Sequence, residues 1–334
     1  MTALKFFQLT TAEKSELINE IQRVTPLPPA SIEKDWWVVQ TLDLVFQMEV
    51  APHLVFKGGT SLSKAWNIIE RLSEDVDLAL SREFLGFEGK ISRTQVGKLR
   101  DASFNYISEI FLPGLRNVFN KIGFEGVAID LTEVESPDQD PVNILITYPT
   151  VVEQSEYVLP QVKLEIGSRS LLEPFTYRQF CSFVGDKFAG RPFTDEKISI
   201  PCVNPERTYL EKNFLLHEEF KRPTAEIRVR RMSRHFYDIQ KISKTGYSEI
   251  AISDGQLYKS LIEHREHFMR WGGVDYSTHF PPNLNPLPPA NLLSAFENDY
   301  KTMQEEMIYG ESLPYKELMK ELELITSTIN NLRF

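Results

Sequence analysis

The apolar positions of this chain repeat with two periods, and the switch between them marks its most informative stretch. Leu54, Val55 and Phe56 form a short apolar run that Lys57-Gly58-Gly59 breaks. Leu62, Ala65, Trp66 and Ile69 then fall at i, i+3, i+4 and i+7, the spacing of one helix face. From Asp75 to Leu80 the sequence Asp-Val-Asp-Leu-Ala-Leu has a period of two. That spacing predicts a strand on which Asp75 and Asp77 project to the same side. Leu54 to Leu80 therefore reads as strand, glycine turn, helix, loop and strand, with Thr60 or Ser61 as the hydroxyl that caps the helix.

The same reading extends along the chain. Thr10 and Glu13 form a capping-box pair, predicting a helix to about Val24 that Pro26, Pro28 and Pro29 end. Ser31 is the candidate cap of a second helix, to about Met48, whose Trp36 and Trp37 belong to core packing. Ser81 to Lys121 is patterned as helix, with Leu99, Phe104, Ile107 and Phe111 as core positions. Val127, Ile129 and Leu131 alternate, as do Val142, Ile144 and Ile146, and the polar turn from Ser136 to Asp140 makes them a hairpin. Gln161 to Gly167 is a further strand, on which Lys163 and Glu165 share a face. Asn204-Pro205 opens a helix with Leu210, Phe214 and His217 on one side. Another is expected from about Ile227 to Ile242, with Val229, Met232, Phe236 and Ile239 as its stripe. Three more follow, over 256–270, 291–307 and 314–331, with Phe296, Tyr300, Met303 and Met307 as core. Mixed strands and helices give way to helices alone, so the expected fold is α/β (α+β) with a small mixed sheet over 1–200 and an all-helical bundle over 201–334, with a cleft between them.

Composition narrows the class. The chain has 334 residues, 42% hydrophobic and 25% charged, a globular balance. No apolar run approaches the roughly 20 residues of a membrane span, and the first ten residues lack the pattern of a signal peptide. Cys181 and Cys202 stand at no metal-binding spacing and read as reduced thiols, so a cytoplasmic protein is expected. The net charge of −10 is not that of a general nucleic-acid binder. It leaves room for a local patch: 221–235 holds six basic residues against Glu226, a net of +5.

Paired carboxylates at a strand start suit a hard divalent cation, which takes oxygen ligands and is commonly shared with substrate phosphates. Glycines ahead of a helix let backbone N–H groups approach a phosphate. Asp75 and Asp77 beside Gly58 and Gly59 thus point to metal-dependent nucleoside triphosphate chemistry. Glu165 is a candidate third carboxylate beside them, or simply the salt-bridge partner of Lys163. Arg231, His235 and Asp238 follow i, i+4 and i+7, with Arg234 nearby. Arg234–Asp238 reads either as a surface ion pair or as part of a phosphate-facing surface.

These residues also carry a resemblance. Gly58-Gly59-Thr60-Ser61-Leu62, followed by Arg71-Leu72-Ser73-Glu74-Asp75-Val76-Asp77-Leu78, resembles the first motif of the AbiEii/AbiGii-type nucleotidyltransferases, toxin-like members of the DNA-polymerase-β-type nucleotidyltransferase superfamily. Similarity continues at 33–37, 162–167, 205–212 and 234–238. The resemblance implies transfer of NMP from an NTP to an acceptor hydroxyl, with two Mg²⁺ ions (Mn²⁺ as substitute) on Asp75, Asp77 and Glu165. Glu165 stands where many relatives carry Asp. It implies Lys212 as a catalytic lysine, and Gly58, Gly59, Thr60, Ser61, Arg71, Ser73, Lys163, Arg234 and Asp238 as the nucleotide-binding set. It further implies an RNA acceptor, the tRNA 3′ end, and a toxin paired with an antitoxin or acting in phage defence. A protein acceptor, γ-phosphoryl transfer and an inactive interaction protein on the same fold stay open at this point.

Overall fold

A computed structural model describes residues 3–73, 75–133, 136, 139–153 and 158–333. Met1 and Thr2 of the N-terminal stretch, Glu74 of the motif, and Pro137 and Asp138 of the predicted turn lie outside the described residues. The chain divides into two compact units: Met1–Ala65 with Leu72–Val203, and Trp66–Arg71 with Asn204–Phe334. A short piece of the motif stretch, Trp66–Arg71, thus belongs to the second unit.

The first unit is built on a seven-stranded mixed sheet. Its strands are β1 (Leu54–Lys57), β2 (Asp75–Leu80), β3 (Ala128–Leu131), β4 (Val142–Thr147), β5 (Gln161–Gly167), β6 (Phe175–Phe180) and β7 (Ile198–Val203). They lie in the order β3-β4-β5-β2-β1-β7-β6. β3 and β4 form the expected antiparallel hairpin, and Val142, Ile144 and Ile146 are all buried. β1 runs antiparallel to β2, whereas β2 and β5 are parallel. β6 and β7 form an antiparallel pair that the alternation did not announce. Pro201 sits inside β7, and a proline argues against a strand wherever a ladder hydrogen bond is needed. Here β7 lies next to the edge strand.

The helices of this unit are α1 (Ala3–Gln8), α2 (Thr11–Gln22), α3 (Pro29–Val45), α4 (Gly58–Lys64), α5 (Arg93–Tyr106), α6 (Leu112–Ile122) and α7 (Phe183–Lys187). The capping box is present at α2: Thr10 Oγ1 accepts from the Glu13 N–H at 3.2 Å, and Glu13 Oε2 accepts from the Thr10 N–H at 2.8 Å. α3 begins at Pro29, not after Ser31. Proline needs no donor at the first helical position, so Pro29 starts this helix and Ser31 is buried within its first turn. Trp36 and Trp37 pack in the core, with Trp37 stacked on Tyr148 at 4.9 Å. Glu33 accepts from the Val151 N–H at 2.8 Å. Asp35 pairs with Lys64 at 2.8 Å and accepts from the Phe183 N–H at 2.8 Å, so the charged residues at 33–35 fasten α3 to its neighbours.

Two predicted helices are shorter than their apolar spacing implied. α4 stops at Lys64 because Asn67 takes a left-handed φ of 52°. Trp66 and Ile69 are therefore not on its face. The helical pattern from Ser81 begins only at Arg93, behind a second capping box of Ser92 and Gln95. Gly86 and Gly89, both at positive φ, turn the chain before it. Leu99, Ile107 and Phe111 are buried, and Phe104 is half-buried.

The second unit holds α8 (Pro205–Glu219), α9 (Ser233–Ser243), α10 (Gly246–Ser253), α11 (Gly255–Phe268), α12 (Leu293–Glu306) and α13 (Tyr315–Asn330). No helix is long and apolar enough to cross a membrane among the described residues. Phe296, Tyr300, Met303 and Met307 are buried as expected. α9 starts six residues later than predicted, so Val229 is outside it. The start is fixed from a distance: the Asp299 carboxylate accepts from the N–H groups of Arg231 (2.6 Å) and Ser233 (3.0 Å) and from the Ser233 hydroxyl (2.5 Å). Arg231 is left-handed, with φ 63°. Trp66–Arg71 is held here too. Glu70 C=O accepts from the Tyr309 N–H at 2.9 Å, and Tyr237 Oη accepts from the Glu70 N–H at 3.2 Å.

His217 on α8 is buried and doubly bonded. Nδ1 accepts from the Asn285 N–H at 2.8 Å, so Nε2–H donates to Thr278 Oγ1, also at 2.8 Å. Burial, with His279 beside it, pushes its pKa down to about 3. The neutral form is native, while the unfolded imidazole titrates near about 6.5. Its stabilisation is thus complete above about pH 6.5 and lost as pH falls toward 3. A His217→Gln chain, with no proton to take up, should be less stable at pH 7. Its urea-unfolding free energy should also fall less steeply between pH 6.5 and 4.5, by up to about 1.4 kcal/mol per pH unit. Equal slopes for the two chains would refute this role.

Candidate functional site

The sheet register assembles the candidate residues of the first unit. Lys57 on β1 pairs with Asp77 on β2, Asp77 with Glu165 on β5, and Glu165 with Asn143 on β4. Asp75 pairs with Lys163 one step along. Residues opposite each other in a sheet share a face, so Asp75, Asp77, Lys163 and Glu165 lie on one side. Val76, Leu78, Val162 and Leu164 alternate with them and are buried. Lys57 and Asn143 join this row, and sequence reasoning passed over both. The available signals were Lys57's place directly before the glycines and Asn143's polarity between Val142 and Ile144.

Gly58 makes the row possible. Its φ is +80°, and a Cβ built there would stand 2.0 Å from Asp77 Oδ2. The close approach that requires glycine here is that of the Asp77 carboxylate. Thr60 and Ser61 do not cap α4: the N-cap is Lys57, without a side-chain bond. The Thr60 hydroxyl donates to the Asp75 carbonyl at 2.5 Å, and the Ser61 hydroxyl is buried beside the Cys202 thiol. Both hydroxyls are enclosed, so what α4 offers an anion are the N–H groups of its first turn, which have no partner within the helix.

Lys163 and Glu165 form an ion pair on β5. Burial disfavours the Lys163 ammonium, but Glu165, then Asp75 and Asp77, raise its pKa. One lysine thus answers all three acids. Among the described residues, no three His, Cys, Asp or Glu side chains converge as a metal-holding cluster. The donor set still fits a hard divalent cation: Asp75 and Asp77 are half-buried oxygen donors on one strand face, and one or two carboxylates plus substrate phosphates suffice for Mg²⁺. Glu165 can join them through its second oxygen, since Lys163 holds Oε1.

Arg71, Lys212, His235 and Asp238 come together in the second unit. Arg71 Nε and Nη2 both donate to the Asp238 carboxylate at 2.7 Å, and Lys212 Nζ lies 2.8 Å from Asp238 Oδ2 and 3.4 Å from His235 Nδ1. All four are buried. Burial works against the Asp238 anion, yet Arg71 and Lys212 hold its pKa well below the usual carboxylate range. Burial lowers the pKa of Lys212, with Asp238 opposing, and lowers that of His235, with Lys212 adding to the effect. Asp238 therefore holds two buried cations, where a surface pair with Arg234 was the simple expectation. Arg234 is half-buried. Ser73, in the first unit, is half-buried ahead of β2.

The basic stretch carries less free charge than its count suggests. Glu219, fully buried, pairs with Arg222 at 3.3 Å and Arg228 at 2.6 Å. Both guanidinium groups also lie over Trp271. Lys221 and Arg230 stay exposed.

A family model described as "Nucleotidyl transferase AbiEii toxin, Type IV TA system" matches residues 43–321. No curated protein matches the chain. Among solved structures it is similar to MenT4, a nucleotidyltransferase toxin from Mycobacterium tuberculosis H37Rv, at 15% identity. That similarity covers 97% of this chain and 100% of that one, with a TM-score of 0.44.

Gly58→Ala should destabilise the first unit by more than the roughly 1–2 kcal/mol that left-handed backbone alone costs an L-residue. Gly190→Ala, at φ +83° with open space around it, supplies that reference. Adding Asp77→Ala should recover the excess, as expected for touching residues. Equal urea-unfolding losses for the two single variants would show that Asp77 does not need the space.

Proposed function

The chain belongs to the AbiEii family of nucleotidyltransferase toxins of type IV toxin–antitoxin systems, and on that premise we propose that it moves NMP from an NTP to a hydroxyl of RNA, using the acid face of the first unit. The family makes it a nucleotidyltransferase that works on an NTP and has an antitoxin partner. The observation that carries the rest is the register placing Asp75 and Asp77 beside Glu165, with Gly58 leaving room for Asp77.

Asp75 and Asp77 are the residues that hold Mg²⁺ in this reading, with Glu165 as the third acid and two ions as the family pattern. When bound, the metal lowers the pKa of the attacking hydroxyl and offsets charge on the leaving pyrophosphate. The remaining work falls to the chain. Gly58 lets the Asp77 carboxylate sit against the turn. Thr60, bonded to the Asp75 carbonyl, fixes β2 relative to α4. The first-turn N–H groups, Gly59 included, face the triphosphate. Lys163, kept charged by its acids, neutralises phosphate charge; the resemblance alone names Lys212 and Arg234 as further phosphate contacts. The exposed Lys221 and Arg230 favour a polyanionic acceptor. The 3′ end of tRNA is the acceptor that fits the family pattern, and its binding should weaken with salt. Growth inhibition in a toxin–antitoxin or phage-defence setting is the corresponding role.

Incubation with each α-labelled NTP, Mg²⁺ and total tRNA tests this. Native protein should label RNA. Asp75→Asn and Asp77→Asn should lose about 10²–10³-fold or more in rate, as when a charge-stabilising group is removed, with unchanged unfolding midpoints. Label on the protein itself would replace RNA with a protein acceptor, and transfer from γ-labelled nucleotide alone would replace nucleotidyl with phosphoryl transfer. Full activity in a folded Asp75→Asn/Asp77→Asn chain would sink the proposal.

A further inference from the structure

The first unit contains a second polar pocket that shares no residue with the strand acids. It encloses about 370 Å³ between α3 and the approach to β7. Gln40, Asp43 and Gln47 line one side, and Asp195, Glu196 and Lys197 the other. The carboxylates outnumber the lysine by two, so the pocket favours a cation.

Gln40 shows that the pocket lacks a partner. It is 2% exposed, and its Nε2 donates to no group in the structure. A buried amide N–H₂ with nothing to donate to is unfavourable, and Gln40 is among the residues that line the pocket. The carboxylates differ in availability. Asp195 is committed, accepting from the Ser182 N–H at 2.8 Å and the Ser182 hydroxyl at 2.5 Å. Asp43 is half-buried and accepts a hydrogen bond from Gln47, and Glu196 is exposed. Burial raises the Asp43 pKa above the ordinary carboxylate value, an unfavourable position for a charge that a cationic ligand would relieve.

Size and geometry select among cations. The volume falls in the roughly 300–1,000 Å³ range of organic-ligand sites, beyond the need of a bare ion. Among the described residues no metal-holding cluster is found. An ammonium is a strongly hydrated point charge, whereas a guanidinium is planar, weakly hydrated and able to reach two carboxylates at once. With Asp43 and Glu196 taking the charge, the Gln40 donor calls for an acceptor close to the cation, such as an amide carbonyl. We propose that this pocket binds a guanidinium group with a neighbouring hydrogen-bond acceptor, the chemistry of an arginine residue. The site is independent of the nucleotidyl-transfer reading.

Calorimetric titration of the whole chain with N-acetyl-arginine N-methylamide, butylguanidine, free L-arginine and N-acetyl-norleucine N-methylamide tests it. The arginine amide should bind saturably, and high salt should weaken it. Butylguanidine, with the same single cation but no carbonyl, should bind several-fold more weakly. Free arginine weaker than the amide places the source in a peptide, because its zwitterionic main chain must be desolvated; equal or tighter binding places it in the free amino acid. Glu196→Gln, at an exposed position, and Asp43→Asn should each weaken the amide at least fivefold. No saturation by about 10 mM, equal binding of the norleucine amide, or native affinity in the Glu196→Gln/Asp43→Asn chain would overturn the assignment.

Discussion

A carboxylate oxygen of Asp77 occupies space that any side chain at position 58 would need, and the geometry of the acid face follows from that exclusion. β1 must end at Lys57 because the chain turns at once into α4, and only glycine takes φ +80° at little cost. The antiparallel register sets Asp77 opposite Lys57, at the mouth of the turn. The Thr60 hydroxyl then fastens α4 to the Asp75 carbonyl. Turn, helix and acid strand are thereby locked together at two points, and parallel pairing carries the same row on to Glu165. The glycine that looked like a phosphate device is first a device for seating a carboxylate.

The second unit relies on a different principle, buried carboxylates that each hold two partners. Asp238 serves Arg71 and Lys212, and Glu218 serves Arg265 and His279. Such pairs contribute little net stability against apolar replacements of the same shape, but breaking one leaves a buried charge uncompensated, at about 3–5 kcal/mol. They therefore constrain geometry more than they strengthen the fold. Arg71 is the instructive member. It stands four residues before Asp75 in sequence, yet its bidentate bond anchors Trp66–Arg71 within the helical unit. The motif's two ends are structural property of different units.

What the sequence revealed follows the range of the forces involved. The capping box at Thr10, the alternating hairpin strands and the shared face of Asp75 and Asp77 depend on residues a few positions apart, and all were legible. The start of α9 was not, because the carboxylate that accepts from its first N–H belongs to Asp299, 66 residues beyond Ser233. The end of α4 was misread because apolar spacing continued through Trp66 and Ile69 while Asn67 turned the backbone left-handed. β7 was hidden by Pro201, and α10 by the lack of a marked apolar stripe. Lys212 was singled out by resemblance alone, since nothing local announces that Asp238 lies 2.8 Å away. Likewise the net +5 of 221–235 was counted without Glu219, just outside that window but bonded into it.

The acid face raises the question of how three carboxylates on adjacent strands coexist. Like charges a few ångströms apart repel strongly in a half-buried setting, so the fold must supply opposing charge of its own. It does so with Lys163, which pairs with Glu165 and also feels Asp75 and Asp77, and with Lys57 across from Asp77. Both lysines sit on the sheet itself, where register fixes them, and not on a loop. The carboxylates are consequently held in place by the sheet before any ligand arrives. Glu165 has its lysine two residues away on β5, and Asp75 and Asp77 feel the same Lys163 from the neighbouring strand, so a single ammonium ties the three acids together.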